Sequence, residues 1–187
     1  MNALFKRQLA DYVEYHRDPL NCAMHVFGII ALFFAAILPL SLVPIQALGV
    51  HTTLAQIMVL PVLVYWLALD AAIGAAILGA AVALLSAAAF VVSHANTTVL
   101  WSVTAVLIVA GIGFQVIGHR VFERRQPALV DNPSHLLLGP MFVMAKLFIA
   151  LGFRRDLAAI IQPAPPQAQR GPSSFTEEHQ VEPLPRS

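Results

Sequence analysis

Lysine and arginine are missing from one unbroken stretch of this chain, residues 18–119, so all eleven basic residues lie before or after it. Charge is scarce throughout. Asp, Glu, Lys and Arg make up 11% of the 187 residues while 58% are hydrophobic, against about 25% charged in ordinary soluble domains. Such a composition cannot cover a globular surface with polar groups, which excludes a water-soluble domain. The formal net charge of +1 leaves no basic footprint and excludes nucleic acid as a partner. Cysteine is almost absent. Cys22 stands alone, so an intramolecular disulfide and a cysteine-based zinc cluster are both excluded, and its place at the start of an apolar run reads as a packed thiol. The first twenty residues carry both signs of charge without an apolar core, unlike a secretory signal. Residues 22–43 lack a cleavage site and are long enough to cross a bilayer, so they read as a retained membrane helix.

What is present is a succession of apolar runs. Residues 3–17 interleave Leu4, Phe5, Leu9, Tyr12, Val13 and Tyr15 with Lys6, Arg7, Asp11 and Glu14. This predicts a short amphipathic helix, lying on the membrane or packed on a bundle mouth. Asp18-Pro19 breaks or restarts it. A first span is expected at about 22–42, followed by a short neutral loop holding His51 and Thr52. Residues 54–93 form an apolar tract about twice the ~20 residues that cross a hydrocarbon core. The tract must therefore turn near Asp70–Gly74, giving spans at about 53–69 and 72–92. A polar loop at 93–97 precedes a fourth span at 98–118. Four spans keep every Lys and Arg on one side, as the positive-inside bias requires, whereas three or five would divide them. Residues 135–153 are apolar but interrupted by Gly139-Pro140 and Lys146, and read as an interfacial or re-entrant segment. Residues 161–187 are rich in proline and polar residues and are expected to be disordered. The expected fold is thus all-α: a polytopic membrane bundle of four transmembrane helices with interfacial helices at both ends, in one domain over 1–160.

This topology brings His16, His25, His119 and His135 to one membrane face. Ionisable residues at such depths usually face the bundle interior, and neutral imidazole is the commonest metal-binding side chain. Taken singly, each histidine suits a hydrogen-bonded structural role. Four on one face, against His51 and His94 on the other, point to a metal site; several imidazoles suit Fe, Zn, Cu or Ni. Glu14, Asp18, Glu123 and Asp131 are nearby in sequence as carboxylate ligands or as partners that orient the rings. Gln115, one turn before His119, shares its helix face and either bonds to the site or ties helices together. Arg124-Arg125 and Arg154-Arg155 read as contacts to lipid headgroups, with recognition of a substrate carboxylate as the sharper alternative. Asp70 reads as a turn residue. Gly111, Gly113 and Gly118 read as helix-packing positions.

Two motifs carry a resemblance. Tyr15-His16-Arg17-Asp18-Pro19-Leu20-Asn21 followed by His25 resembles the opening motif of the Mpo1-like family. Gly113-Phe114-Gln115-Val116-Ile117-Gly118-His119, then Phe122-Glu123 and Gln126-Pro127-Ala128-Leu129, is similar to its second hallmark. Gly139-Pro140-Met141-Phe142 fits the region that follows. The resemblance covers about residues 5–153 and implies an Fe(II)-dependent dioxygenase that uses O2 to shorten long-chain 2-hydroxy fatty acids by one carbon. It implies His16, His25 and His119 as iron ligands or close to them, with His135 carried over less directly. Arg17, Arg120 or Arg124 would meet the substrate carboxylate through bidentate hydrogen bonds, beside Gln115. Two other readings stay open on the residues alone: a membrane transporter or assembly factor without catalysis, and a zinc-dependent lipid hydrolase. The alanine-rich spans and the run from His135 to Phe142 suggest a bacterial cytoplasmic membrane, with both termini cytoplasmic; in a eukaryote the membrane would be the endoplasmic reticulum.

Overall fold

The computed structural model describes residues 2–47, 49–124, 126 and 135–162. The expected proline-rich tail at 161–187, apart from Ile161, which ends a helix, and Gln162, lies outside the described residues, as do the connector 127–134, which holds Asp131, and Arg125. Helix α1 spans Ala3–Val13 and is capped by Asn2, whose Oδ1 accepts from the Phe5 N–H at 2.8 Å. Its buried Phe5, Leu9, Tyr12 and Val13 recur at helical spacing, so one stripe is apolar and packs inward. Helix α1 is therefore packed on the bundle mouth. Asn2 also ties it to the end of a third helix, donating Nδ2–H to the Ala68 carbonyl at 2.9 Å.

Helix α2 (Pro19–Ser41) starts at Asp18, whose carboxylate accepts from the Leu20 and Asn21 N–H groups, with Pro19 pre-set for the first helical position. A hairpin follows in place of the expected loop: β1 (Pro44–Ala47) pairs antiparallel with β2 (Val50–Thr53), Gln46 facing His51. Val50, Thr52 and Thr53 favour extended backbone, and Gly49, at φ +77°, supplies the left-handed turn residue. Among the described residues the fold is all-α apart from this hairpin. Helix α3 (Leu54–Leu69) opens with a reciprocal cap between Thr53 and Gln56 and runs through Pro61. Asp70 alone links it to α4 (Ala71–His94). Gly74 makes this hairpin possible, because a Cβ there would come within 2.7 Å of the Leu67 Cα. Helix α5 (Thr97–Ile117) is capped by Asn96 and continues into a π-helical turn at Gly118–Glu123. Helix α6 (His135–Ala150) and α7 (Arg155–Ile161) are bent 119° to each other.

Among the described residues three helices, α2, α4 and α5 with its π-turn, are each long and apolar enough to cross a membrane. Helix α3 is equally apolar, but its 16 residues give a length of about 24 Å against a hydrocarbon core of about 30 Å. Apolar side chains face outward along all four: Phe27 is 64% exposed, Val64 65%, Phe90 64% and Val109 73%. A continuous greasy exterior of this kind belongs in a bilayer, and the chain is a membrane protein.

Arg154 does not stand free for lipid headgroups. It grips the buried Asp70 carboxylate with two hydrogen bonds of 2.8 and 2.9 Å and also holds Asp156. Burial opposes ionisation of Asp70, but this fork and the Ile73 N–H outweigh it and hold its pKa at about 2. The pair fastens α6–α7 to the α3–α4 turn. Replacing Arg154 by Ala strands the carboxylate. We expect a loss of about 3 kcal/mol, the lower end for a broken buried pair, because the Arg154 side chain is 20% exposed; thermal unfolding in detergent measures it.

Candidate metal centre

The chain folds back between α1 and α2 through consecutive tight turns, in which the Glu14, Tyr15 and His16 N–H groups bond to the Asp11, Tyr12 and Val13 carbonyls. This places the His16 ring flat on Tyr12, with centroids 4.0 Å apart and planes 6° from parallel. His16 Nδ1 lies 2.8 Å from the Tyr12 carbonyl oxygen. A carbonyl only accepts, so Nδ1 carries the proton and Nε2 keeps its lone pair. His25 follows the same logic one helix later: its Nδ1 donates to Asn21 Oδ1 at 3.0 Å, four residues back on α2. His119 is the second residue of the π-turn. Such widened turns occur often at functional sites, and this one carries His119 and Glu123 onto the face turned toward the start of α2.

The three rings meet edge to face. Centroids are 4.3 Å apart for His16 and His25, 4.7 Å for His25 and His119, and 5.0 Å for His16 and His119. One ligand nitrogen from each lies within 4.8 Å of the other two. Three nitrogens bound to one ion at about 2.1 Å sit about 3.4–3.6 Å apart, so side-chain movements of up to about an ångström bring the set onto a single ion. All three histidines are buried. His16 Nε2 and His119 Nδ1 find no hydrogen-bond partner among the described residues, a costly condition for buried polar atoms that a bound cation relieves. Burial, and then the neighbouring His25, push the His16 pKa down to about 2. Its ring is neutral, the form that binds metal. The donor set fits a divalent transition metal.

A second tier of residues holds the rings. Glu123 Oε1 accepts from the Asp18 N–H at 2.7 Å and from Asn21 Nδ2 at 3.1 Å. The carboxylate thereby decides which way the Asn21 amide points, leaving Oδ1 for His25. Asn21 is completely buried. It fits only because residue 118 is glycine, since a Cβ there would come within 2.3 Å of Asn21 Oδ1. Asn21 was not among the candidates drawn from the sequence, although its position four residues before His25 on a helix is a readable signal. The Cys22 thiol donates to the His16 carbonyl at 3.3 Å, the packed role expected of it.

The remaining predicted residues fall in two groups. His135 and Gln115 line the same cavity as the three histidines, a space of about 120 Å³ that also meets Tyr12 and Ile29. His135 stands outside the close group of three. Its Nε2 bonds to Asp11 at 2.9 Å while its Nδ1 is buried without a partner among the described residues. Arg17, Arg120 and Arg124 are exposed and do not line the cavity; Arg17 pairs with Glu14. Among the acidic candidates, Asp18 caps α2 and Glu123 orients Asn21.

Comparison with known proteins places this site in a family. The family model described as 2-hydroxy-palmitic acid dioxygenase Mpo1-like matches residues 3–151, which takes in every residue of the histidine cluster. The 2-hydroxy-palmitic acid dioxygenase of Saccharomyces cerevisiae is 31% identical over 160 residues, covering 84% of this chain and 87% of the yeast protein. No solved structure matches. A match along this much of the chain, together with that identity over most of both proteins, makes it a member of the Mpo1-like family.

Proposed function

We propose that this protein is a non-haem Fe(II)-dependent dioxygenase that shortens long-chain 2-hydroxy fatty acids by one carbon. The observation that carries the reading is the buried cluster of His16, His25 and His119, with ligand nitrogens within 4.8 Å and unpartnered nitrogens on two of the rings, in a relative of an enzyme named for 2-hydroxy-palmitic acid. These three residues would hold the iron, with His135 as a further ligand or a contact to the substrate head. When bound, Fe(II) supplies open coordination positions and the electron transfer that lets O2 react. The overall change balances without another reductant: R–CH(OH)–COOH and O2 give R–COOH, CO2 and H2O, and all the electrons taken up by O2 come from the substrate.

The protein's own residues do the positioning. The Tyr12 carbonyl and the Asn21 amide fix two imidazoles in one tautomer, so the ligand nitrogens are aimed before anything binds. Gln115 reaches the cavity and is suited to hydrogen-bond the substrate's hydroxyl or carboxylate. Arg17, Arg120 and Arg124, exposed at the same end of the bundle, draw the anionic head group to this layer. The apolar walls keep water from the reacting carbons.

The same reading sets the topology. His25, near the start of α2, and His119, past the end of α5, have rings 4.7 Å apart, which supports an even number of crossings between them. We take α2, α3, α4 and α5 as four spans, with both termini on the cytoplasmic side of a bacterial membrane. Anaerobically purified protein, loaded with Fe(II) and given 2-hydroxypalmitic acid and O2, is expected to yield the acid one carbon shorter by mass spectrometry. Its absence under iron-loaded conditions sinks the assignment.

A further inference from the structure

A larger cavity, about 300 Å³, lies against the histidine site between α2, α3, α4 and α6. The two spaces share Ile29 and Phe33 as walls, so the groove begins beside the histidine cavity. Every lining side chain is apolar except Trp66, and its Nε1–H is already given to the Leu137 carbonyl at 2.7 Å. Nothing there binds a polar head; hydrocarbon fits. The groove follows α2 as far as Leu40, fifteen residues past His25, or about 22 Å of helix. An extended chain advances about 3.6 Å per three bonds, so this length holds about eighteen bonds, near that of a palmitoyl chain with its head at the metal. The groove opens sideways to the lipid phase, where its wall residues Ile30 and Met58 are 50% and 48% exposed.

We propose that this groove binds the alkyl chain of the substrate and gauges its length, with Ala36 of α2 and Ala80 of α4 keeping the far part open. The inference rests on the function proposed above for the substrate's head group. Both alanines line the groove and remain exposed, so a larger side chain at either position fills the channel and not a packed core. Ala36 lies eleven residues past His25, about 16 Å along the helix. A bulky residue there leaves room for a short chain and excludes the end of a long one.

The test is photolabelling of metal-free protein in phosphatidylcholine vesicles with 2-hydroxypalmitic acid carrying a terminal diazirine, and mapping of adducts by mass spectrometry. Adducts are expected on α2 between Ala36 and Leu40 and on α3 near Ala55 and Met58. They should fall by about tenfold or more in both Ala36→Phe and Ala80→Phe, since even one methylene misfit in an apolar pocket is worth about 10-fold. In the iron-loaded enzyme the same variants should shift preference from 2-hydroxypalmitic toward 2-hydroxydecanoic acid. Unchanged labelling in both variants, adducts outside the groove, or equal labelling by a phosphatidylcholine with the same diazirine tail that free 2-hydroxy acid does not displace would each overturn the proposal; the last would make the groove a seat for bilayer lipid. Labelling needs neither iron nor O2. Groove adducts displaced by 2-hydroxypalmitic acid, in a protein that never turns it over, therefore uphold the groove while refuting the dioxygenase reading.

Discussion

Replacing His25 or His119 by Ala is expected to lower turnover of 2-hydroxy fatty acids by more than about 100-fold, beyond the range typical of residues that only orient a metal ligand. Each contributes one of the three nitrogens that lie within 4.8 Å of one another. With one ring gone, the other two offer too few donors to hold a divalent ion tightly. The helices themselves should persist, because the Glu123 hydrogen bonds to Asp18 and Asn21 still join α2 to the π-turn and Ala is the best helix former. Far-ultraviolet circular dichroism in detergent separates the two effects: unchanged helicity with lost turnover marks a ligand. His135→Ala provides the contrast, since its Nε2 is tied to Asp11 and it stands outside the group of three. If His25→Ala and His119→Ala both keep wild-type rates, the proposed ligand set is wrong.

Gly118→Ala is the second large effect, and it acts without touching a ligand. The added methyl would lie 2.3 Å from Asn21 Oδ1, the atom that accepts the His25 Nδ1–H. Asn21 has no room to retreat, being fully buried and bonded to Glu123 as well. The amide must swing, and the His25 ring loses the partner that fixes its tautomer. A fall of about 10–100-fold in metal affinity is expected, as for other ligand-orienting partners, together with an overpacking cost of about 1–3 kcal/mol. Gly113→Ala is the control. A Cβ there meets nothing within 4 Å, so metal affinity should stay unchanged. Metal titration of the two variants decides the matter: equal affinities would show that Asn21 does not position His25.

The helices were legible because their cause is local. Apolar runs set the lengths, Asp18-Pro19, Asp70 and the polar loop at 93–97 mark boundaries, and spans expected at 22–42, 53–69, 72–92 and 98–118 correspond to helices at Pro19–Ser41, Leu54–Leu69, Ala71–His94 and Thr97–Ile117. The hairpin at Pro44–Thr53 reads as a loop in the sequence, because its pairing depends on two four-residue strands too short for a clear alternation signal. The gathering of histidines on one face followed from the placement of Lys and Arg. What could not be read was long-range partnership. Nothing near Arg154 announces Asp70, 84 residues away, and nothing near His135 announces Asp11, 124 residues away. The π-turn was equally hidden, since Gly118–Glu123 carries the residues of an ordinary helix end.

If His16, His25 and His119 hold iron as proposed, the metal content of the purified protein must show it. Protein purified in detergent without oxygen, beside a His25→Ala/His119→Ala variant, would be analysed for its elements. About one iron per wild-type chain is expected, by analogy with three-ligand sites that hold a single ion, and none in the variant. Stoichiometric zinc, or no metal in the wild-type protein even after incubation with Fe(II), would contradict it.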